Sequence, residues 1–380
     1  MTDNDRTKTH KTDVLLDKAR RQASANLSTL EEIAVALFDD GAAALSELER
    51  SLMDNALRSL VRNIESRILA ALAQPRDAPR ELVKLFGRDA IVGRDHADDY
   101  AYPILEKSAP FYASGLIEVI KHRMQSHRLT LALLKLGRES SITSPMEEPQ
   151  GSIIRSLLVA PAPESVVRLK VFIDAESKRT DAFQNPLIRP VDLPPSVMNP
   201  LCWWIAAALR RYAITGSKLD RGTIEGCFEP ATRVVIDDLV AEASPANEAD
   251  GVIDMLTANG QFSADILLQL LSQGEVSLFE AGFAQITGLR KLLVSRLLFE
   301  PGGESLAVAC KAVGFEPATF AAIYGYTRHG RLTADPAQDR NKDIVDFYDG
   351  IDRDAAEAVL ERWRRDADFL YAIKLLEQAK

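Results

Sequence analysis

Apolar residues recur at helical spacing along most of the chain. Over residues 57–72 they fall three or four positions apart, while Arg58, Arg62 and Glu65 stand between them. This is the pattern of an amphipathic helix that turns one face toward a core. Runs that alternate apolar and polar residues are scarce, so the sequence predicts an all-α protein.

The first half of the chain repeats a helix, a corner and a second helix at a period of about 34 residues. One copy covers residues 68–85 with its corner at Pro79, a second covers residues 102–120, and a truncated third begins at His127. Such a period is typical of paired-helix solenoids. We therefore predict a HEAT-like helical array over residues 27–178, preceded by a flexible or partly helical segment over residues 1–26.

The second half begins after a proline-rich stretch. Five prolines fall between Pro186 and Pro200, which predicts no regular element over residues 180–200 and a linker over residues 179–200. Short apolar segments separated by glycines then predict a compact helical domain over residues 201–330. Residues 331–380 predict a polar linker and an amphipathic helix from about residue 351. Residues 164–177 suit a strand or a helix, and their helical surroundings favour the helix.

Composition and charge narrow the class of protein. Of 380 residues, 46% are hydrophobic and 27% charged, which is ordinary for a globular chain. The net charge of −9 opposes nucleic acid as the partner. Three scattered cysteines, a polar N-terminus and no apolar run long enough to cross a bilayer predict a cytoplasmic protein without a membrane span.

Several short sequence segments that carry a family resemblance occur in order along residues 55–328. They lie at residues 78–83, 103–108, 116–120 and 126–132 in the first half, and at residues 203–210, 279–281 and 297–310 in the second. Together they resemble a family of uncharacterised bacterial proteins, mainly alphaproteobacterial, that carries a domain-of-unknown-function label. The resemblance implies an all-helical, HEAT-like fold, and it implies no activity, cofactor or catalytic residue.

Two groups of side chains invite a metal hypothesis. Asp89, Asp95, His96, Asp98 and Asp99 could bind a divalent cation or form a hydrated loop, and their spacing matches no known ligand frame. His122 and His127 are five positions apart, and a turn around residues 125–126 is expected between them. The sequence therefore predicts no metal and no cofactor.

The remaining motifs do not specify a reaction. The turn at residues 301–304 could hold an anion at a helix N-terminus, but Glu304 would repel it, so a simple turn is favoured. Basic residues at 328–331 and 362–365 alternate with acids, which indicates a solvated ion-pair surface. No catalytic residue is predicted, and an enzyme with a scattered site stays the third hypothesis.

The sequence proposes a binding face and three interface aromatics. On the second helices of the repeats we predict a partner-binding face made of Arg80, Lys84, Glu118, Lys121 and His122. The candidate interface aromatics are Trp203, Trp204 and Trp363. The first two are adjacent, so their rings point about 100° apart, one toward the core and one toward the rim.

The first functional hypothesis is a non-enzymatic protein–protein interaction scaffold in bacterial signalling or regulation, with an unknown protein as partner. The second is nucleic-acid binding in a HEAT-like groove, which the acidic charge opposes. The apolar stripe of the last helix predicts a homo-oligomer or docking of that helix onto the body of the chain.

Overall fold

The computed structural model describes residues 14–15, 46–73, 79–87, 99–108, 115–143, 153–154, 156, 163–243, 248–300, 302–331, 341–365 and 369. These residues are predominantly helical, and their only β-type pairing is an isolated bridge between Thr180 and Pro186. The all-α prediction is confirmed.

Fifteen α-helices and two 3-10 turns fall within the described residues. In chain order the helices are α1 (Glu47–Ala73), α2 (Arg80–Phe86), α3 (Tyr102–Leu105), α4 (Leu116–Thr143), α5 (Pro163–Ser177), α6 (Pro195–Gly216), α7 (Arg221–Glu242), α8 (Ala249–Ala258), α9 (Ala264–Ser272), α10 (Val276–Thr287), α11 (Lys291–Phe299), α12 (Glu304–Ala312), α13 (Pro317–Thr327), α14 (Asn341–Gly350) and α15 (Arg353–Arg364). The 3-10 turns are Pro190–Asp192 and Arg328–Gly330.

Side chains and glycines of the expected kinds define several helix ends. Asp220 accepts a hydrogen bond from the backbone N–H of Thr223 at 2.9 Å, which caps the start of α7. Ser263 caps α9 in the same way through the N–H of Ile266 at 3.3 Å. Gly288 follows α10 in the left-handed conformation, with φ 67°, which is a common way for a helix to stop.

Contacts between residues divide the chain into two compact units. Unit 1 groups the described residues of Met1–Thr29, Gln125–Phe172 and Ala246–Lys380, and unit 2 groups those of Leu30–Met124 and Ile173–Pro245. Each unit is discontinuous along the chain, since the division runs through α4 and α5. The predicted linear order of domains stays a prediction.

Unit 2 is built on three long helices, because α1, α6 and α7 pack against one another. Their inward faces bury aliphatic side chains completely, and each such side chain contributes roughly 1.5–3 kcal/mol. The fully buried set includes Leu57, Leu60, Ile64, Ile205, Leu209 and Leu239. The apolar residues whose spacing of three or four positions predicted α1 therefore form its packing face.

Unit 1 is centred on α12, which is mostly apolar and contacts both α14 and α15. All residues from Ser305 to Cys310 are buried, as expected for a helix surrounded by others. The ring of Tyr348 stacks on Phe320 with centroids 4.4 Å apart, and its hydroxyl donates to the carbonyl of Phe315.

Two predictions about element boundaries are wrong. Residues 195–200 were expected to hold no regular element, but α6 begins at Pro195 and includes Pro200. Pro195 is the first residue of the helix, where its missing N–H has no helical partner, whereas Pro200 is the sixth residue and removes one backbone hydrogen bond within the helix. The predicted turn at residues 125–126 is also absent, because α4 is continuous through it. Ser126 is buried there and donates to Glu280 at 3.0 Å, so a tertiary contact satisfies it.

Three other predictions can be compared with the structure. Residues 164–177 form a helix, α5, and the strand alternative is excluded. Arg331 was placed on a solvated surface, but it is 4% exposed and its guanidinium carbon lies 4.7 Å from the centroid of the Tyr324 ring. The ring of Tyr324 covers the cation, and sequence spacing does not reveal this contact. A C-terminal helix was predicted from about residue 351 to residue 376, and its first part is observed as α15. The helix ends at Arg364, because Arg365 is extended with ψ 156°, so the predicted continuous helix is wrong beyond that residue.

Candidate functional site

Polar side chains of α1 contact the segment that leads into α3. Arg62 donates from Nε to Asp99 at 2.8 Å, and Nη1 of Arg58 lies 3.3 Å from the same carboxylate. The two arginines are four residues apart and therefore share one face of the helix. Asp99 is only 12% exposed, so this pairing fixes the start of the segment that leads into α3.

Glu65, on the same helix, anchors the N-terminus of α3. It is 1% exposed, and its two carboxylate oxygens accept the backbone N–H groups of Ala101 at 2.7 Å and Tyr100 at 3.4 Å. These N–H groups precede the helix and need an acceptor. The pKa of Glu65 is raised to about 7, mainly because burial disfavours the charged carboxylate. The two hydrogen bonds lower this pKa, and the negative charge of nearby Asp99 raises it.

Aromatic side chains fix α2 and α3 against α6. The Tyr102 hydroxyl donates to Asp54, and the Tyr100 hydroxyl donates to the carbonyl of Phe86 at 2.8 Å. The ring of Tyr100 meets Phe86 edge-on at 5.2 Å and lies 5.0 Å from the ring of Tyr212 on α6. Contacts of this kind stabilise aromatic pairs beyond the area they bury. The single turn of α3 is therefore held at a defined distance from α6.

An open groove of about 640 Å³ lies between α3 and α6. Its volume is within the range of small-molecule and cofactor sites. The lining on the α6 side is Trp204, Ala207, Ala208 and Arg211, at positions i, i+3, i+4 and i+7 of one helical face. The opposite side consists of Pro103, Ile104, Leu105, Lys107 and Ser108.

Two small residues of α6 are part of the described lining of the groove. Ala207 and Ala208 contribute only methyl groups to the α6 side of the groove, beside Trp204. Ala207 is exposed and Trp204 is half-buried, so both remain accessible from outside. The groove thus combines an aromatic wall with a floor of small residues.

The two charged residues in the described lining of the groove are both cations. Lys107 and Arg211 are exposed, and neither forms an ion pair with another described residue. In a chain whose net charge is −9, a groove whose described lining includes no acidic residue differs from the average surface. This arrangement favours an apolar ligand that carries negative charge.

The structure places the sequence-predicted face in unit 2 without joining it to the groove. Arg80 and Lys84 are exposed on α2, while Glu118, Lys121 and His122 are half-buried on α4. None of the five residues lines the groove. Their role in binding stays a prediction.

The three predicted interface aromatics lie in different surroundings. Trp203 is 37% exposed, and the guanidinium carbon of Arg233 lies 5.8 Å from its ring centroid. Trp204 lines the groove, so the expectation that one ring of the pair fills the core is wrong. The physical reason is that Cys202 and Ile205 are the buried residues in this part of α6, and they lie on a different face of the helix from the two indoles. Trp363 packs against the core of unit 1.

The acidic loop and the histidines do not assemble a metal site in the described part of the chain. Asp89, Asp95, His96 and Asp98 lie outside the described residues, and Asp99 pairs with the two arginines of α1. Within the described ranges no three His, Cys, Asp or Glu side chains are placed to hold a cation. His122 and His127 both lie on the continuous helix α4.

The glycine turn before α12 is buried and structural. Glu300 accepts the N–H of Ser305 at 2.7 Å, and burial raises the pKa of Glu300 to about 7. Gly303 adopts a left-handed conformation with φ 79°, and a methyl group on it would overlap the Tyr324 ring. The helix N-terminus thus already has a carboxylate acceptor, which agrees with the predicted simple turn.

Sequence reasoning named Trp204 but missed the groove. The signal on α6 was available, since a tryptophan, two alanines and an arginine fall at i, i+3, i+4 and i+7. The opposing wall was not predictable in the same way, because α3 has only four residues and depends on Glu65, which is 36 positions away from Ala101.

No helix in the described part of the chain is long and apolar enough to cross a membrane. No curated protein and no solved structure matches the chain. A family model described as "Uncharacterised protein conserved in bacteria (DUF2336)" matches residues 173–361, which include α6 and exclude α3. The first-half strings of the predicted resemblance lie outside this match. Over residues 173–361 the chain is therefore similar to an uncharacterised bacterial domain family.

Proposed function

We propose that the chain is a non-enzymatic scaffold that binds a protein partner in the groove between α3 and α6, in bacterial signalling or regulation. The observation that carries the proposal is an open, mainly apolar groove with Trp204 in its wall and Arg211 at its edge. Tryptophan and arginine are the residue types most often found at the energetic centres of protein interfaces. A HEAT-like array over the first half of the chain remains part of this proposal.

The ionisable groups with raised pKa values support binding rather than catalysis. Glu65 and Glu300 are buried, and each accepts backbone N–H groups within its own unit. Neither carboxylate lines the groove. The thiol of Cys202 is buried in apolar surroundings, which raises its pKa to about 12 and makes it a packing residue.

Filling the groove should abolish partner binding. In Ala207→Trp, a second indole would occupy the floor beside Trp204, and because Ala207 is exposed the core of unit 2 stays intact. We expect capture of partner proteins by the full chain, with crosslinking and mass spectrometry, to fall by roughly tenfold or more. The helical content measured by circular dichroism should not change.

Ala241→Trp is the matched control, because Ala241 is exposed on α7 of the same unit and is not part of the groove. The control should capture the same partners as the wild type. Equal capture by the two variants and the wild type would exclude the groove as the binding site. Recovery of nucleic acid without a protein partner would favour the nucleic-acid alternative.

A further inference from the structure

We infer that the groove binds two turns of an acidic amphipathic helix from the partner, with apolar side chains against Trp204 and carboxylates against Lys107 and Arg211. This inference rests on the proposed function and adds the chemistry of the bound segment. Helix-in-groove binding uses apolar anchors at i, i+3, i+4 and i+7, which is the spacing available in two turns.

The length of the groove fits such a segment. Trp204 and Arg211 are seven residues apart on α6, so they are separated by about 10 Å along the helix axis. Two turns of a docked helix cover nearly the same distance. The groove is open to solvent rather than enclosed, which suits a segment that continues beyond it better than a small molecule that needs an enclosed cavity.

The charged residues that line the groove determine which sign of charge the bound segment should carry. Lys107 and Arg211 are the only ionisable side chains among the described residues that line the groove. The guanidinium of Arg211 can bind a carboxylate through two parallel hydrogen bonds, and the ammonium of Lys107 adds a second positive charge across the groove. Rim charges of this kind contribute more to partner selection than to affinity.

The net charge of the chain allows a local preference for an acidic ligand to be distinguished from non-specific attraction. With a net charge of −9, non-specific attraction favours a basic ligand over an acidic one. Preference for an acidic ligand must therefore come from a local site. A nucleic-acid backbone fits less well, because its affinity depends on many cations and the groove offers two.

Two labelled model peptides test the inference by fluorescence anisotropy. Each has about 14 residues with leucine at helical i, i+3, i+4 and i+7 positions, and the polar face carries glutamate in one and lysine in the other. The full wild-type chain should bind the glutamate peptide roughly tenfold tighter. Equal affinity, or preference for the lysine peptide, would overturn the inference.

Charge reversal locates the preference. K107E/R211E should reverse it, whereas K218E/R221E should preserve it, because Lys218 and Arg221 are exposed in unit 2 but do not line the groove. The two double variants have the same net charge, so a difference between them cannot come from the overall field. A preference that survives K107E/R211E would also overturn the inference.

Two further outcomes separate this inference from the proposed function. If Ala207→Trp abolishes partner capture but the glutamate peptide binds no better than the lysine peptide, the scaffold stands and the acidic partner is wrong. If neither peptide binds and partner capture is unaffected by Ala207→Trp, both fail. Binding of decanoate, detected by Trp204 fluorescence in a variant with Trp203 and Trp363 replaced by phenylalanine, without peptide binding, would assign the groove to an anionic amphiphile and overturn both.

Discussion

Replacing Gly303 by alanine should lower the free energy of unfolding by about 2–4 kcal/mol. Gly303 has φ 79°, a left-handed conformation that costs a residue with a Cβ roughly 1 kcal/mol. The added methyl group would also overlap the Tyr324 ring, which is buried and covered by the Arg331 guanidinium. Since the ring has no free space to enter, the overlap adds a packing penalty. Urea unfolding followed by circular dichroism measures the difference.

Gly260→Ala separates the two contributions to this effect. Gly260 has φ 67°, also in unit 1, and no atom lies within 4 Å of the position of its added Cβ. This control should therefore lose only the conformational part, about 1 kcal/mol. If both alanine variants unfolded at the same urea concentration, the close contact between Gly303 and Tyr324 would be contradicted.

Replacing Glu65 by glutamine should remove a large part of the pH dependence of stability. Burial raises the pKa of Glu65 from 4.5 to about 7, so between these values the folded state binds more protons than the unfolded state. Stability from this group is fully present below pH 4.5 and is lost as the pH rises to 7, and the loss amounts to about 3 kcal/mol. The neutral amide of E65Q does not ionise, so its stability relative to wild type should rise by that amount over the same range.

Unfolding of wild type and E65Q by urea across this pH range tests the prediction. Glu300, whose pKa is also raised to about 7 by burial, contributes a slope of the same sign in both proteins and cancels in their difference. Glu81→Gln, at an exposed site on α2, should keep the wild-type slope. A difference between E65Q and wild type that does not change with pH would show that Glu65 is not held as described.

The outcome for Glu65 also bears on the groove. Its carboxylate holds the two N–H groups that lead into α3, and α3 supplies one wall of the groove. Glu65→Ala would leave a buried N–H without its acceptor, at a cost of about 1–3 kcal/mol. We expect that this change loosens α3 and weakens binding of the glutamate peptide.

Local pattern was sufficient for the fold class and for most helices. The spacing of Leu57, Leu60 and Ile64 predicted α1, and Asp220 and Ser263 occupy cap positions that their side-chain chemistry favours. Boundaries that depend on distant partners were not predictable. Where a turn was predicted within α4, Ser126 is buried and donates to Glu280, which is 154 residues away.

The candidate site shows the same limit of local patterns. Trp204 was predicted as an interface residue from its type and position, and it lines the groove. The groove itself requires α3, which is held by Arg62 against Asp99 over 37 positions and by Glu65 against Ala101 over 36. Neither contact follows from helical periodicity, because each joins α1 to a segment whose own pattern is too short to interpret.

Site-specific photo-crosslinking in the full chain is the most direct test of the central claim, that a protein partner occupies the groove. A benzophenone amino acid would be placed at Ala207 in the groove, at Arg80 on the sequence-predicted face and at Ala241 as the exposed control. We predict an adduct with one partner at position 207, mapped by mass spectrometry to an acidic amphipathic helix, and no such adduct at position 241. An adduct with that partner at position 80 and none at position 207 would contradict the account.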